Sequence, residues 1–402
     1  MIYRTYGKVC VKNMKLRELV NRKIGYGIVQ PGSSCDGGIP VIKAGNIIAG
    51  LNDVSQLNTT DPEIDAKYKR TKLQGGELVV TIVGSVGKTA IIPLDFAGCN
   101  LVRATALIDI VDKNDALWIK YFIDSPAGQN YIDQNLNTTV QPTLNIKSLE
   151  EMDIPMPDKD TRDKVVQLLG GIDLKIRVNE KINRNLMDQA VAIFGEMIWS
   201  QEKNGTIGDY CTVKSGFAFK SSWWTDKGVK VIKIGDINQD NLNLNACSCV
   251  DDDKVEKASG FIVKAGDLVI AMTGATIGKF AMIPERKETI LVNQRVGKFF
   301  LGEEPLKKVP FIYCTLKQDE VYSEVIGRGQ GSAQPNISAS DVMTIPCVIP
   351  VQDEINKFNE ITEPIFTSIL KNQNENKQLA NLRDSLLPKL MSGELDVSNL
   401  DI

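Results

Sequence analysis

The chain has 402 residues, 43% of them hydrophobic, with a net charge of −3 and no histidine. This length favours two or more domains, and the missing histidine excludes Ser-His-Asp and Cys-His catalysis and histidine-ligated metal sites within the chain. The eight cysteines form no C-x-x-C pair, no run of 18 apolar residues exists and the first residues lack the apolar core of a secretory signal, so we expect a cytoplasmic protein with reduced thiols.

Residues 1–157 form the first of two similar blocks. Short Val/Ile-rich runs alternate with Gly, Asn and Asp, a pattern that predicts strands and turns, and a helix is expected around residues 118–133. The block therefore reads as a mixed α+β domain.

A possible phosphate-binding loop lies inside this block, in the stretch TIVGSVGKTAIIP at residues 81–93. The full pattern places a glycine five residues before the second glycine, but the residue five before Gly87 is Ile82. The related stretch AMTGATIGKFAMIP at residues 271–284 has Phe280 where the first has Thr89, and phenylalanine cannot ligate magnesium. A nucleotide site is therefore disfavoured, and the four glycines at 84, 87, 274 and 278 are expected to shape tight turns.

Residues 158–200 lack the strand pattern and predict a long helix. Apolar and amide residues step by four and three, the coiled-coil repeat. The seam positions are Val165, Leu169, Ile172, Ile176, Asn179, Asn183, Leu186, Ala190, Ile193 and Met197. A kink or a new helix start is expected at Gly170-Gly171.

The second block, residues 201–350, repeats the first. IPVIKAGNI at 39–47 matches VKVIKIGDI at 229–237, GGELVVTIVG at 75–84 matches AGDLVIAMTG at 265–274, and NIKSLEEMDIP at 145–155 matches NISASDVMTIP at 336–346. We therefore predict two copies of one mixed α+β domain, the second with a helix near residues 310–325.

Residues 351–395 predict a second long helix, followed by a tail at 396–402. The residues that lie 193 positions after those of the first seam form a second seam: Phe358, Thr362, Ile365, Ile369, Asn372, Asn376, Leu379, Arg383, Leu386 and Leu390. Pro364 lies where the first helix has the glycine pair. Matched asparagines favour an antiparallel coiled coil with a pseudo-two-fold axis. In this arrangement Asn179 meets Asn376 and Asn183 meets Asn372. A buried asparagine fixes the register of a coiled coil, because a slipped partner leaves its amide unpaired. The alternative is that each helix packs only on its own domain.

This layout resembles the specificity subunit of a type I restriction–modification system over nearly the whole chain. The motifs that carry the resemblance are IGDYCTVKSGFAFKSSWWTDKGVKVIKIGDI at 207–237 and LRDSLLPKLMSGELDV at 382–397. The resemblance implies two target-recognition domains that each read half of a bipartite double-stranded DNA site, separated by conserved spacer helices. It also implies no catalysis in this chain: two modification subunits bind S-adenosylmethionine and methylate adenine, and restriction subunits, if present, use ATP and Mg.

Matching polar loops of the two blocks supply the candidate DNA contacts. In the first block these are Ser33, Ser34, Lys43, Lys88, Arg103, Thr139 and Gln141. In the second they are Lys220, Ser221, Ser222, Trp223, Trp224, Lys233, Lys279, Arg295, Arg328, Gln330 and Gln334. Arginine can donate two hydrogen bonds to guanine, side-chain amides can pair with adenine, and lysine can bind phosphate. Among them Arg328 is favoured in its loop, and Arg103 and Arg295 are treated as a pair because they follow Asn100 and Asn293, which we take as matching residues.

Each candidate has a structural alternative. Solvated lysines fit the sequence equally well, the arginines can form internal ion pairs, and at least one of the two adjacent tryptophans is expected in the core. At the level of function, a P-loop nucleotide-binding protein and a coiled-coil scaffold stand as alternatives, although a scaffold has no need of two strand-rich domains.

Overall fold

The structure, a computed structural model, describes residues 3–6, 9–51, 53–137, 141–329 and 335–400. It divides into two compact units, one of Met1–Leu174 with Leu379–Ile402 and one of Lys175–Gln378. No helix in the described part of the chain combines the length and the apolar character that crossing a membrane requires.

In the part of the chain that the structure describes, the first unit contains twelve strands and five short helices. The strands are β1 (Tyr3–Tyr6), β2 (Val9–Lys15), β3 (Gly25–Tyr26), β4 (Ile39–Ile42), β5 (Thr59–Thr60), β6 (Leu78–Thr81), β7 (Thr89–Ile91), β8 (Asn100–Leu101), β9 (Thr105–Ile108), β10 (Leu136–Asn137), β11 (Thr143–Leu144) and β12 (Asp153–Met156). The helices are α1 (Ala44–Ala49), α2 (Pro62–Asp65), α3 (Lys113–Asp124), α4 (Pro126–Gln134) and α5 (Ile146–Glu150).

Two sheets organise the first unit, with strand orders β3-β9-β6-β7 and β5-β4-β8. Strands β6 and β9 are buried at every residue, as expected for uninterrupted apolar runs in the middle of a sheet. The predicted helix is divided in two at Ser125, whose side chain accepts a hydrogen bond from the Gly128 amide and caps α4. Pro126 in the first turn of α4 is placed where proline is tolerated.

The first long helix, α6 (Lys159–Met197), follows β12. The strands of the second unit are β13 (Gly205–Thr206), β14 (Thr212–Ser215), β15 (Trp224–Thr225), β16 (Val229–Ile232), β17 (Ile237–Asn238), β18 (Asn241–Leu242), β19 (Ser248–Val250), β20 (Ile262–Val263), β21 (Leu268–Ala271), β22 (Phe280–Met282), β23 (Ile290–Val292), β24 (Val296–Phe300) and β25 (Pro346–Cys347). Its helices are α7 (Ile207–Tyr210), α8 (Val309–Lys317), α9 (Asp319–Gly329), α10 (Ala339–Met343) and the second long helix, α11 (Gln352–Ser392).

The predicted duplication is present in the topology. The sheet order β14-β24-β21-β22 repeats β3-β9-β6-β7, and the order β19-β16-β23 inside a five-stranded sheet repeats β5-β4-β8. In both copies the central pair, β4 with β8 and β16 with β23, is parallel whereas its neighbours are antiparallel. The two blocks are thus two copies of one mixed α+β fold.

Both long helices run without interruption, so the alternative that each begins again near its start is wrong. Helix α6 is continuous through Gly170-Gly171, and α11 is continuous through Pro364. All twenty predicted seam positions are buried or half-buried, which confirms the heptad assignment.

The asparagine layers meet in the predicted antiparallel register. In the second unit, Asn179 Nδ2 donates to Asn376 Oδ1 over 2.8 Å, and Asn372 Nδ2 donates to Asn183 Oδ1 over 2.8 Å. Asn183 and Asn376 also donate to backbone carbonyls of the opposite helix. Because each amide finds partners only at this register, a slipped pairing would leave buried amide groups without hydrogen bonds.

The helices also pack on the domains, so mutual pairing and domain packing both occur. In the first unit, Leu169 of α6 and Leu390 of α11 share a core cluster with Trp118 of α3. In the second unit, Phe194 of α6 stacks edge-on against Phe358 of α11 at 5.5 Å between ring centroids, and both lie in the main core cluster of that unit. Each unit therefore needs both helices to complete its core.

The asparagine layers generate a stability prediction. Asn179→Leu alone should lower the free energy of unfolding by about 1 kcal/mol, because it leaves Asn376 without its donor. Replacing all four asparagines by leucine should instead raise the melting temperature, since apolar layers bury favourably. Urea and thermal unfolding measure both effects. The control is Asn185→Leu, an exposed position of α6, which should change little; a quadruple variant less stable than the wild type would contradict this account.

Candidate nucleic-acid interface

The Gly-Lys-Thr stretch is a hairpin turn, which rules out the P-loop interpretation. Gly84 and Gly87 have φ of 78° and 84°, a region that favours glycine. The Gly87 amide donates to the Thr81 carbonyl and the Lys88 amide donates to Thr81 Oγ1. These amides are used within the turn, and strand β7 follows it. A P-loop opens a helix and leaves its amides free for phosphate.

The second copy of this turn has the same design. Gly274 and Gly278 have φ of 73° and 80°. The Gly84 amide donates to the Pro142 carbonyl, and the Gly274 amide donates to the Pro335 carbonyl, each over 2.9 Å. The glycines therefore shape turns, as predicted. The lysines after them differ in exposure: Lys88 is exposed, and Lys279 is half-buried.

The repeated lysines Lys43 and Lys233 follow the parallel strands β4 and β16. Lys43 Nζ donates to Asn58 Oδ1 over 2.9 Å, and Lys233 Nζ donates to Ser248 Oγ over 2.7 Å. Ser34 Oγ accepts hydrogen bonds from Asn58 Nδ2 and the Thr59 amide, so Ser34 is tied to the same network as Lys43. Neutral partners leave both ammonium charges available to phosphate.

The two tryptophans belong to a packed aromatic cluster. Trp223 lies parallel to Phe217 at 6.2 Å, and Trp224 packs against Phe219 at 5.5 Å, with both indoles half-buried. The expectation that at least one tryptophan lies in the core is met only in part, because both pack against the cluster around Phe219 and neither is fully buried. Lysines lie over their rings: Lys233 Nζ is 3.6 Å from the Trp224 centroid, and three others, Lys220, Lys254 and Lys257, are 5.4–5.7 Å from Trp223. Cation–π contacts of this kind hold the ammonium groups near the surface.

The alignment of Arg103 with Arg295 is wrong by one residue. The Arg103 amide donates to the Ile28 carbonyl, and the equivalent bond in the second unit runs from the Gln294 amide to the Phe217 carbonyl. The bridges Ile28–Val102 and Phe217–Asn293 fix the same register. Arg103 therefore corresponds to Gln294, and Arg295 corresponds to Ala104. The internal ion pair considered for both arginines is not found among the described residues.

Arg103 and Gln141 line one open groove of about 1000 Å³ in the first unit. Asn145 and Lys147 line it as well, so the groove offers amide and cationic donors. Its acidic residue, Glu151, is already paired with Arg17. Two candidates from separate stretches of the sequence thus share a surface with hydrogen-bonding character.

The favoured arginine of the second block, Arg328, is engaged within the protein. Its guanidinium bonds to Glu324 Oε1 at 2.9 Å, to the Asp341 carbonyl at 2.9 Å and to Thr344 Oγ1 at 2.6 Å. These bonds join the end of α9 to the end of α10. We therefore rank Arg328 below Arg103 as a DNA contact.

The remaining candidates divide into two sets. Ser33 is exposed on the loop that precedes β4, and Lys220, Ser221 and Ser222 are exposed immediately before β15. Thr139, Gln330 and Gln334 lie outside the described residues.

Sequence reasoning missed two polar networks that join each domain to the helices. In the first unit, Asp173 of α6 accepts hydrogen bonds from Tyr121 Oη at 2.8 Å and from Arg383 Nη1 of α11 at 2.9 Å. In the second unit, Asp240 pairs with Lys317 at 2.6 Å and also accepts from Tyr313 Oη, while its backbone carbonyl accepts from Gln373 Nε2 of α11 over 3.2 Å. The one available signal was Arg383 itself, a charge at a seam position.

The electrostatics of these networks follow from burial and pairing. Burial alone would lower the pKa of Arg383, but its hydrogen bonds to Asp173 and Asp384 outweigh that effect and raise it. Burial raises the pKa of Tyr313, and the Asp240 charge acts in the same direction. Both groups therefore keep their protons at neutral pH, and Arg383 remains charged within the helix pair.

Comparison with known proteins agrees with this architecture. The family model described as "Type I restriction modification DNA specificity domain" matches residues 9–187 and 201–382, one copy for each block. The chain therefore belongs to the family of type I restriction–modification DNA specificity proteins.

Individual relatives carry the same description. A type I restriction enzyme MjaVIII specificity subunit from Methanocaldococcus jannaschii is 22% identical over 330 residues, which are 76% of this chain and 77% of the relative. The EcoBI specificity subunit of Escherichia coli is 32% identical over 155 residues, 38% of this chain and 32% of the relative. The crystal structure of the S subunit from M. genitalium has a TM-score of 0.52 at 16% identity, with 95% and 96% of the two chains covered.

The Asp173 network generates a second prediction. Arg383→Ala should lower the free energy of unfolding by ~2 kcal/mol, because it leaves a half-buried carboxylate without its charged donor. Replacing Asp173 and Arg383 together by leucine should recover most of this loss, since neither charge is then left unpaired. Urea unfolding measures the differences. Arg177→Ala, at an exposed position of the same helix pair, is the control. Equal losses in Arg383→Ala and Arg177→Ala would show that the network does not stabilise the fold.

Proposed function

We propose that this chain is the DNA-reading subunit that directs an adenine methyltransferase to a bipartite site. The observation that carries the proposal is the duplicated domain, with the same sheet order in both copies, joined by one antiparallel helix pair. Residues 1–157 form the first target-recognition domain and residues 201–350 the second, each contacting one half of the site. Two similar domains on one spacer suit a target split into two parts.

Phosphate contacts position the domains on DNA. Lys43 and Lys233 occupy equivalent places after parallel strands and have neutral hydrogen-bond partners. In the second domain Lys220 and Lys257 lie over Trp223, beside Lys254, whose ammonium group is paired with Asp253. Lysine ammonium groups that neutralise phosphates give affinity without base preference and make binding depend on salt concentration. Because the chain as a whole has a net charge of −3, its attraction to DNA phosphates has to come from local clusters of lysines.

We propose that the register of the helix pair determines which spacer lengths between the two half-sites the chain accepts. The paired asparagines hold α6 and α11 in one register, and both helices contribute to the core of each unit. A slip of one heptad would move the helices by ~10 Å relative to each other, the length of about three base pairs. A fixed register therefore corresponds to a fixed spacer between the half-sites.

The proposed partners are double-stranded DNA and two modification subunits, with restriction subunits where the system has them. The exposed side chains Val178 and Ile182 lie one turn apart on α6, at 43% and 41% exposure. We propose that these two side chains form one apolar contact with a modification subunit. Transfer of the methyl group from S-adenosylmethionine takes place on the modification subunits, and ATP with Mg serves the restriction subunits.

The proposal predicts separable specificities. Exchange of residues 1–157 for the first domain of another family member should change only one half of the methylated motif. The physical reason is that each block has its own sheets and its own loops. Methylome sequencing of cells that carry the complete system measures the motif. The reciprocal exchange of residues 201–350 is the matched control and should change only the other half; simultaneous change of both halves in either chimaera would refute the two-domain model.

A further inference from the structure

Each domain contains a tight turn at the equivalent place in its fold. Residues 102–104 connect β8 to β9, and residues 293–295 connect β23 to β24. The Thr105 amide donates to the Val102 carbonyl and the Val296 amide donates to the Asn293 carbonyl, each over 2.9 Å. These four-residue hydrogen bonds define β-turns, in which Arg103 and Gln294 occupy the same second position.

Backbone hydrogen bonds fix both turns to the neighbouring segments. The Arg103 and Gln294 amides each donate over 2.9 Å to a carbonyl of the neighbouring segment, Ile28 and Phe217 respectively. Residues before the turns pair with the parallel strands β4 and β16, which lead directly into Lys43 and Lys233. The turn tips and the lysines thus emerge at the same edge of their sheets, since parallel strands end on one side.

The side chains at the turn tips are free to bind a ligand. Arg103 and Gln294 are exposed. Within the described residues, neither the guanidinium of Arg103 nor the side-chain amide of Gln294 has a hydrogen-bond partner or an ion pair. Arg328, by contrast, is engaged by three residues of its own domain. Arg103 also lines the groove that carries Gln141 and Asn145.

The two residue types differ in the base edge that each matches. An arginine guanidinium donates two parallel hydrogen bonds to guanine O6 and N7, whereas a glutamine amide pairs with adenine N6 and N7. From the equivalent placement we infer that Arg103 and Gln294 are base-specifying residues, Arg103 for a guanine in one half-site and Gln294 for an adenine in the other. This inference rests on the proposed function and adds to it the chemical difference between the two half-sites.

The equivalence also gives a reason for the duplication. Two copies of one backbone present different side chains at one turn position, so the half-sites differ while the mode of approach to DNA is the same. Lys43 and Lys233, repeated at the same edge, hold phosphates in both halves, and the turn residue changes with the base. Arg295, one position further, corresponds to Ala104, so the first domain has no arginine at that position.

Exchange of the two side chains tests the inference. The Arg103→Gln variant should change one position of one half-site from guanine to adenine, and Gln294→Arg should change one position of the other half-site from adenine to guanine. Each preference should shift by about tenfold or more, the discrimination typical of one bidentate contact. Methylome sequencing of cells with the complete system gives both motifs. Arg70→Gln, an exposed arginine of the first domain, is the matched control and should leave the motif unchanged.

The outcomes separate the inference from the proposed function. A wild-type chain that yields no bipartite motif overturns the proposed function. A bipartite wild-type motif that neither exchange alters overturns this inference alone. For an exchange that abolishes methylation, Arg103→Ala in the assembled methyltransferase is tested against duplexes randomised at each position: loss of preference at one position supports the inference, and uniform weakening at all positions shows a phosphate contact and overturns it.

Discussion

The pairing of α6 with α11 through two asparagine layers is the interaction on which the rest of the structure depends. Apolar layers alone tolerate displacement by a heptad, because leucine packs against leucine in either register. The amides of Asn179 and Asn183 meet their partners in one register only. Both helices also enter the core of each unit. The register of the helix pair is therefore coupled to the folding of both recognition domains.

Each domain adds polar contacts to this apolar framework. Asp173 joins Tyr121 of the first domain to Arg383 of α11, and Asp240 joins Tyr313 and Lys317, while its carbonyl accepts from Gln373 of α11. Hydrogen bonds of this kind contribute modestly to stability, but they fix orientation. A recognition domain held in one orientation presents its loops to DNA in a defined geometry, and base-specific contact requires that geometry.

The periodic features of the fold could be predicted from the sequence, whereas contacts between residues far apart in the chain could not. The heptad seam and its asparagines could be predicted because a repeat of 3.5 residues is a local pattern and it occurs in both long helices. The equivalence of Arg103 with Gln294 could not be predicted from the sequence. One copy has a one-residue insertion relative to the other, and only the strand pairing shows where that insertion lies. Lys254 and Lys257 reach Trp223 from a segment about thirty residues later, and Arg328 bonds to Thr344. Such contacts depend on tertiary packing, which no periodicity encodes.

The most direct test of the account measures DNA binding as a function of the spacer between the half-sites. The assembled methyltransferase would be titrated with duplexes that share both half-sites and differ only in spacer length. The account predicts one sharp optimum for the wild-type chain, and a broader and weaker optimum when Asn179, Asn183, Asn372 and Asn376 are all leucine, although that variant melts at a higher temperature. The same sharp optimum in both proteins would contradict the claim that the asparagine register sets the spacing.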